Sequence, residues 1–419
     1  MEVTSDSIKS QAWHLKSKED GAVEKPSASN SIYYSSVAAS LSSMLFGVSL
    51  TIMGSMHPQV MSVWSSTMND AEMDAKWGHT SGAIFLGCLV SNIAVNMYKP
   101  NFKKTLKMNN ALYALGYLCF LVSQSFVSIF LGRFVLGLAS GIACAVVSPY
   151  ISMIAPEKNR GFLLSFHPLG IIVGITLGNI LACINGPYTW WIPCWIAIIM
   201  VSLNFIGLNN VRDPRLSRNE GSKSVIDLLK KRCAKRSIFL AVLVHISQHL
   251  SGVDYITLFL KDLLSNGKYM YSADTMTILA SLFSVFTTMI FANYVDKIGR
   301  KPLIIISSMV ISISTAMLTM KIYPAAAALL FMLGYNLGMS SIPWFITAEI
   351  FPLNYSSPAG LLAVSLNWIS AYGILAIFYP LHKAHGEIVF SFYTVCMLVF
   401  IGLIICFFKE TRNRTPDFQ

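Results

Sequence analysis

Apolar side chains fill this chain in long uninterrupted blocks along its whole length. Blocks such as "LLSFHPLGIIVGITLGNILACI" and "VFSFYTVCMLVFIGLIICFF" contain no Asp, Glu, Lys or Arg. About 20 such residues cross a hydrocarbon core roughly 30 Å thick, so each block predicts a membrane helix. Twelve spans are expected near 34–54, 79–98, 109–125, 127–150, 162–184, 189–210, 237–262, 275–296, 302–321, 324–348, 359–383 and 386–408.

The polar stretches between the blocks give an orientation. Lys99, Lys103, Lys104 and Lys107 follow the second span, Lys158 and Arg160 the fourth, and Lys297, Arg300 and Lys301 the eighth. These loops share one side, and the sixth-to-seventh connection adds nine further basic residues there. The opposite loops carry Lys76, Lys261, Lys268, Lys321 and Lys383. The positive-inside rule therefore predicts that both termini are cytoplasmic.

Composition agrees. Of 419 residues, 54 % are hydrophobic and 12 % charged, with a mean hydropathy of +0.58, too apolar for a soluble domain. Topology and attraction to anionic lipid account for the net charge of +11, so no nucleic-acid partner is implied. The eight cysteines are scattered, without CxxC pairs or clustering near histidine, and predict neither a metal site nor a cofactor. Residues 1–33 read as a polar cytoplasmic tail without the apolar core of a signal peptide.

The polar segment 211–236 divides the spans six and six, predicting bundles over 34–210 and 237–408 and a short tail over 409–419. Within it, Val225, Leu228 and Leu229 share a helical face, as in a linker helix lying on the membrane surface. Each half carries a basic loop between its second and third spans, "YKPNFKKTL" and "DKIGRKPL". Such internal duplication is how secondary transporters build alternating access around a site near the bilayer midplane.

At this point the chain resembles the sugar porters of the major facilitator superfamily, which include the facilitative hexose transporters. The resemblance rests on "GRFVLGLASGIACAVVSPYISMIAPEKNRG", where Arg133, Gly137 and Gly141 repeat every four residues, and on "HPLGIIVGITLG", "SQHLSGVDYITLF", "DKIGRKPL", "SSIPWFITAEIFP" and "KETRNRT" in family order. It implies an all-α integral membrane protein with twelve transmembrane helices in two six-helix bundles. One departure is Met153, where the family has an acidic residue.

The resemblance implies a pocket between the bundles, with a sugar held by amides and stacked on aromatics. Gln248, Trp344, Asn367 and Trp368 match its contacts, and Phe46 would line the cavity. His249, Asp254, Ser284 and His167 stand at or near positions where the family offers other polar groups. The resemblance also implies gating ion pairs among Arg133, Arg160, Asp296, Lys297, Arg300, Glu349, Glu410 and Arg412 that join the bundles; ordinary positive-inside charge is the alternative reading for Lys297.

On a regular helix Gln248, Ser251 and Tyr255 share a face, and Asp254 lies roughly 120° away. Two explanations of Asp254 remain open. Gly252 opens the helix and swings Asp254 into the cavity, or Asp254 pairs with His249 or a neighbouring helix, since intramembrane charges are normally paired.

Proton-coupled sugar porters carry an aspartate in the first span, where this chain has Ser49 in "MLFGVSLT". That favours facilitated diffusion of a monosaccharide, by default a hexose such as glucose. The alternatives are proton symport using Asp254 and His249, and a nutrient sensor that has lost transport. No hydrolase, metalloprotease or nucleotide-binding fingerprint is present, so no enzyme is expected. The expected setting is the plasma membrane, with the chain working as a monomer among lipids.

Overall fold

The computed structural model describes residues 28–98, 101–156, 159–184, 189–211, 223–265, 272–291, 294–412 and 417–419. Most of the N-terminal tail, Lys99, Lys158 and the first half of the linker lie outside the described residues. The first half runs α1 (Ala28–Thr51), α2 (Met53–Trp64), α3 (Asp70–Tyr98), α4 (Phe102–Val122), α5 (Phe126–Ile154), α6 (Arg160–Leu164), α7 (Phe166–Ile184) and α8 (Trp191–Gly207). The second runs α9 (Val225–Lys230), α10 (Lys235–Leu250), α11 (Val253–Leu258), α12 (Leu260–Ser265), α13 (Ala273–Phe291), α14 (Val295–Ile298), α15 (Arg300–Thr319), α16 (Pro324–Gly334), α17 (Ile342–Glu349), α18 (Leu353–His385) and α19 (Phe390–Phe407).

Among the described residues, nine stretches are long and apolar enough to cross a membrane, and the longest, Asn354–Phe407, holds both α18 and α19. The other two crossings escape a hydropathy window for separate reasons. Lys103, Lys104 and Lys107 dilute α4, and α10 to α12 form one crossing broken into short pieces. The molecule thus has twelve transmembrane helices in two six-helix bundles.

Several helix starts follow from local chemistry. Asn101 caps α4 by accepting the Lys104 N–H, and Ser125 caps α5 by accepting that of Ser128. Ser224 and Asp227 form a reciprocal capping box on α9. That linker helix is only six residues long, and it turns Leu228 inward while Leu229 is exposed. Val225 is half-buried, so of the shared face expected for Val225, Leu228 and Leu229 only Leu229 turns outward.

Within the first bundle α5 packs on α1, α3 and α4, and α7 packs on α1. The glycine repeats make this approach possible: a Cβ on Gly137 would sit 1.9 Å from the Ile84 carbonyl oxygen, and one on Gly174 would sit 2.0 Å from that of Met44. In the second bundle α15 packs on α16 and α19, and α10 on α18. The most extensive contacts between the bundles are α3 with α18 and α7 with α13, and α11 also touches α1.

Candidate functional site

The site is built around the break in the seventh crossing. α10 ends at Leu250, and Gly252 takes φ +91°, a left-handed conformation that starts α11 in a new direction. A regular helix turns about 100° per residue, which would place His249 and Asp254, five residues apart, about 140° apart around the axis. Across the break His249 Nδ1 instead lies 2.5 Å from Asp254 Oδ2. The two explanations of Asp254 merge: the helix opens at Gly252, and the opening lets the acid pair with His249. The same break separates Tyr255 from Gln248, and the Tyr255 hydroxyl bonds His382 on α18 instead.

Gln248 anchors a relay of amides. Its Nε2 donates to the Met339 carbonyl and to the Tyr335 hydroxyl, both at 3.1 Å. Its Oε1 accepts from Asn367 Nδ2 at 3.0 Å, and Asn367 Nδ2 also donates to the His245 carbonyl at 2.9 Å. The Met339 carbonyl is available because Tyr335–Met339 forms a π-turn between α16 and α17. Such wide turns recur at functional positions in helices.

Aromatic rings wall this relay. Trp368 on α18 stacks on Phe85 of α3 at 5.8 Å and meets Phe46 of α1 edge-on at 6.2 Å, so rings from both bundles meet there. Trp344 on α17 lies 5.8 Å from Trp368, and His249 lies 5.9 Å from Phe85. Two polar atoms in this group, His245 Nε2 and Trp368 Nε1, are buried and lack a hydrogen-bond partner among the described residues. Each such atom costs about 1–3 kcal/mol when left unpaired in a low-dielectric interior.

Gln248, His249, Asp254, Trp344, Asn367, Trp368 and Phe46 thus come together, whereas two expected residues stand apart. Ser284 on α13 accepts from Asn336 Nδ2 at 2.9 Å and so braces the π-turn. His167 on α7 bonds Ser43 of α1 at 2.7 Å, inside the first bundle. Three residues of the cluster were missed from sequence. Phe85 and Tyr335 are indistinguishable there from other apolar-block aromatics, but His245 carried a usable signal, one helical turn before His249.

The described members of the charged set gather at one end of the second bundle. Arg300 Nη2 pairs with Glu349 Oε1 at 2.7 Å, and Glu349 accepts from Thr411 at 2.5 Å. Glu410 accepts four backbone N–H groups, from Arg300, Lys301, Thr411 and Arg412, at 2.9–3.0 Å. Burial opposes the charge on Glu410, yet those N–H groups hold its carboxyl below its usual 4.5. All these residues belong to the second bundle, where the start of α15, the end of α17 and the tail converge. The described pairs therefore tie that bundle's end together. The Arg412 side chain is exposed, and the side chains of Arg160 and Asp296 lie outside the described residues.

Arg133 is 1 % exposed and has no acidic partner among the described residues. Its guanidinium donates to the Ser81 carbonyl at 2.8 Å and to the Ser49 carbonyl, clamping α5 to α3 and α1. Ser49 itself bonds the Tyr117 hydroxyl at 2.8 Å.

Polar contacts across the bundle interface gather near the start of α3 and the end of α7. Asn179 donates to Ser281 at 2.9 Å, His79 bonds Tyr372 at 3.0 Å, and His57 bonds Tyr379 at 3.2 Å. Towards the other end Asn92 donates to Ser365 at 3.2 Å.

Comparison with known proteins completes the picture. A family model described as "Sugar (and other) transporter" matches residues 35–215 and 213–417. The facilitated glucose transporter member 1 of solute carrier family 2 from Gallus gallus is 22 % identical over 416 residues, covering 84 % of each chain. The galactose-proton symporter of Escherichia coli K12 is 24 % identical over 428 residues, covering 90 % of each. The inward-open structure of the xylose transporter XylE from E. coli superposes with a TM-score of 0.77 at 19 % identity, covering 92 % of this chain and 98 % of that one.

Proposed function

Since this chain belongs to the sugar transporter family of the major facilitator superfamily, we propose that it carries a monosaccharide, a hexose such as glucose, by alternating access and facilitated diffusion. The observation that carries this reading is the buried amide relay of Gln248 and Asn367 with its wall of Trp344, Trp368, Phe46 and Phe85. It draws on both bundles at the break of the seventh crossing, where a rocking motion would open and close it. Amides donate and accept as sugar hydroxyls do, and indole faces suit the apolar side of a sugar ring.

Uniport is favoured by Ser49. Arg133 meets carbonyl oxygens at that point of the first bundle, so no acid there takes up a proton. The 2.5 Å pairing of His249 with Asp254 favours a second reading, proton symport through that dyad, because it places an acid and an imidazole against the same relay. The charged cluster from Arg300 to Arg412 would stiffen the end of the second bundle against the rocking motion. The chain would work as a monomer in the plasma membrane with both termini cytoplasmic.

The test is uptake of labelled glucose by purified protein in liposomes from pH 5 to pH 8, with and without an imposed proton gradient. Equilibration independent of the gradient is expected. Gradient-driven accumulation would replace uniport with the second reading, and no flux under any gradient would remove transport and leave a sensor. Gln248→Ala, which takes from Asn367 the partner that positions it, and Trp344→Ala, which removes a stacking surface, should each weaken affinity about tenfold while still inserting. Unchanged kinetics in both would refute the pocket assignment.

A further inference from the structure

Away from the relay, the linker helix α9 and the first turn of α18 form an open cavity of about 320 Å³ lined by Lys223, Asp227, Lys230, Lys231 and Tyr355. The Lys223 N–H donates to the Asn354 carbonyl at 3.0 Å, which holds the two elements together. None of the three lysines forms an ion pair with a described residue. Rings hold Lys231 instead of an acid: its Nζ lies 4.6 Å from the centre of the Tyr355 ring and 5.2 Å from that of Phe418. Such faces orient an ammonium without neutralising it. The carboxylate in the lining is partly spent, because Asp227 Oδ2 accepts from the Ser224 N–H at 3.1 Å and from the Ser224 hydroxyl at 2.8 Å. Three ammonium groups thus face one carboxylate, leaving an excess of two positive charges.

The same helix has an apolar edge. Ile226 and Leu229 are 63 % and 51 % exposed, while Leu228 is buried. Their spacing of three puts Ile226 and Leu229 on one helical face, next to Lys230. Unpaired lysines beside exposed apolar side chains suit a position at the membrane surface, where headgroups meet acyl chains. We propose that this cavity binds an anionic phospholipid whose headgroup ends in a phosphate monoester. Lys223, Lys230 and Lys231 meet the phosphate oxygens, Tyr355 donates its hydroxyl, and Ile226 and Leu229 lie against the acyl chains. A phosphate monoester carries close to two negative charges at neutral pH, which matches the excess, whereas a diester headgroup carries one. A soluble phosphate ester would meet the same ammonium groups, and the apolar edge is what favours the lipid. The site is independent of the solute carried through the bundles.

The experiment is native mass spectrometry of the full chain in detergent, titrated with dioctanoyl phosphatidic acid, dioctanoyl phosphatidylglycerol or glycerol phosphate. Phosphatidic acid should bind most tightly. Each of Lys223→Gln, Lys230→Gln and Lys231→Gln should weaken it about fivefold, the contribution of one lysine near an anionic headgroup. Asp227→Asn should tighten it. Ile226→Ser combined with Leu229→Ser should weaken phosphatidic acid and leave glycerol phosphate unchanged. Lys104→Gln, at an exposed lysine of α4, should change no affinity. The replaced side chains are all exposed, so every variant should keep the wild-type Tm without lipid. Equal losses in Lys104→Gln and the cavity variants would reduce the effect to the overall charge of the surface and overturn the site. Glycerol phosphate binding as tightly as phosphatidic acid would overturn the lipid assignment, and phosphatidylglycerol doing so would overturn the match to a monoester.

Discussion

Replacing Gly252 with alanine tests the local geometry on which the site depends. Its φ of +91° costs a residue with a Cβ about 1–2 kcal/mol. The added methyl would also lie 2.7 and 2.8 Å from two atoms of the Tyr393 ring. That ring cannot retreat easily, since Tyr393 is fully buried and stacks on Phe378 at 4.1 Å between centroids. Overpacking of this kind costs roughly 1–3 kcal/mol, so Gly252→Ala should lose about 2–5 kcal/mol in total. The chain has a cheaper alternative, to continue α10 as a regular helix, and that turns Asp254 away from His249. Thermal unfolding of the detergent-purified protein should show a lowered Tm, and liposome uptake should fall sharply. Trimming the ring, as Gly252→Ala with Tyr393→Leu, should restore part of the Tm but little of the uptake. A single Gly252→Ala variant with wild-type Tm and wild-type uptake would refute the claim that the break is enforced by this glycine.

Two further outcomes follow from groups away from the break. Arg133→Lys should destabilise by about 1–3 kcal/mol, because one ammonium cannot reach both the Ser49 and Ser81 carbonyls that the guanidinium fork spans; an unchanged Tm would count against the clamp. Glu410 has a folded-state pKa below its ordinary 4.5, so its contribution is present above that value and lost as pH falls through the lowered one. Glu410→Gln should therefore lower Tm at neutral pH and flatten its decline between pH 5 and pH 3, and parallel Tm curves for variant and wild type would contradict the four-bond anchor.

What could be read from sequence varied with how local the cause was. The apolar blocks located the crossings within several residues, although the first predicted span of 34–54 proved to run as two helices from Ala28 to Trp64. The four-residue glycine repeats foretold close helix contacts, and Gly137 and Gly174 make them. The weak point of the seventh crossing was visible in Gly252, but the partner chosen by Asp254 was not, because periodicity describes an unbroken helix. Ion pairs were expected between bundles, and the described pair of Arg300 with Glu349 lies within one; which helix ends converge is a property of packing rather than of charge order.

The sequence by itself determined that the chain spans a membrane and where each helix sits within it, because bilayer thickness and backbone hydrogen bonding in lipid leave little freedom once an apolar block is long enough. It also supplied the amides, rings and ionisable groups of the site. Only the tertiary structure decided which of their atoms are spent and which stay open. Gln248 gives its amide to Met339, Tyr335 and Asn367, while His245, a residue the sequence reading had passed over, keeps an unpaired nitrogen beside the relay. A side chain's type fixes its capacity to donate and accept, but its partners come from crossings far apart in the chain, and those meet only when the helices pack.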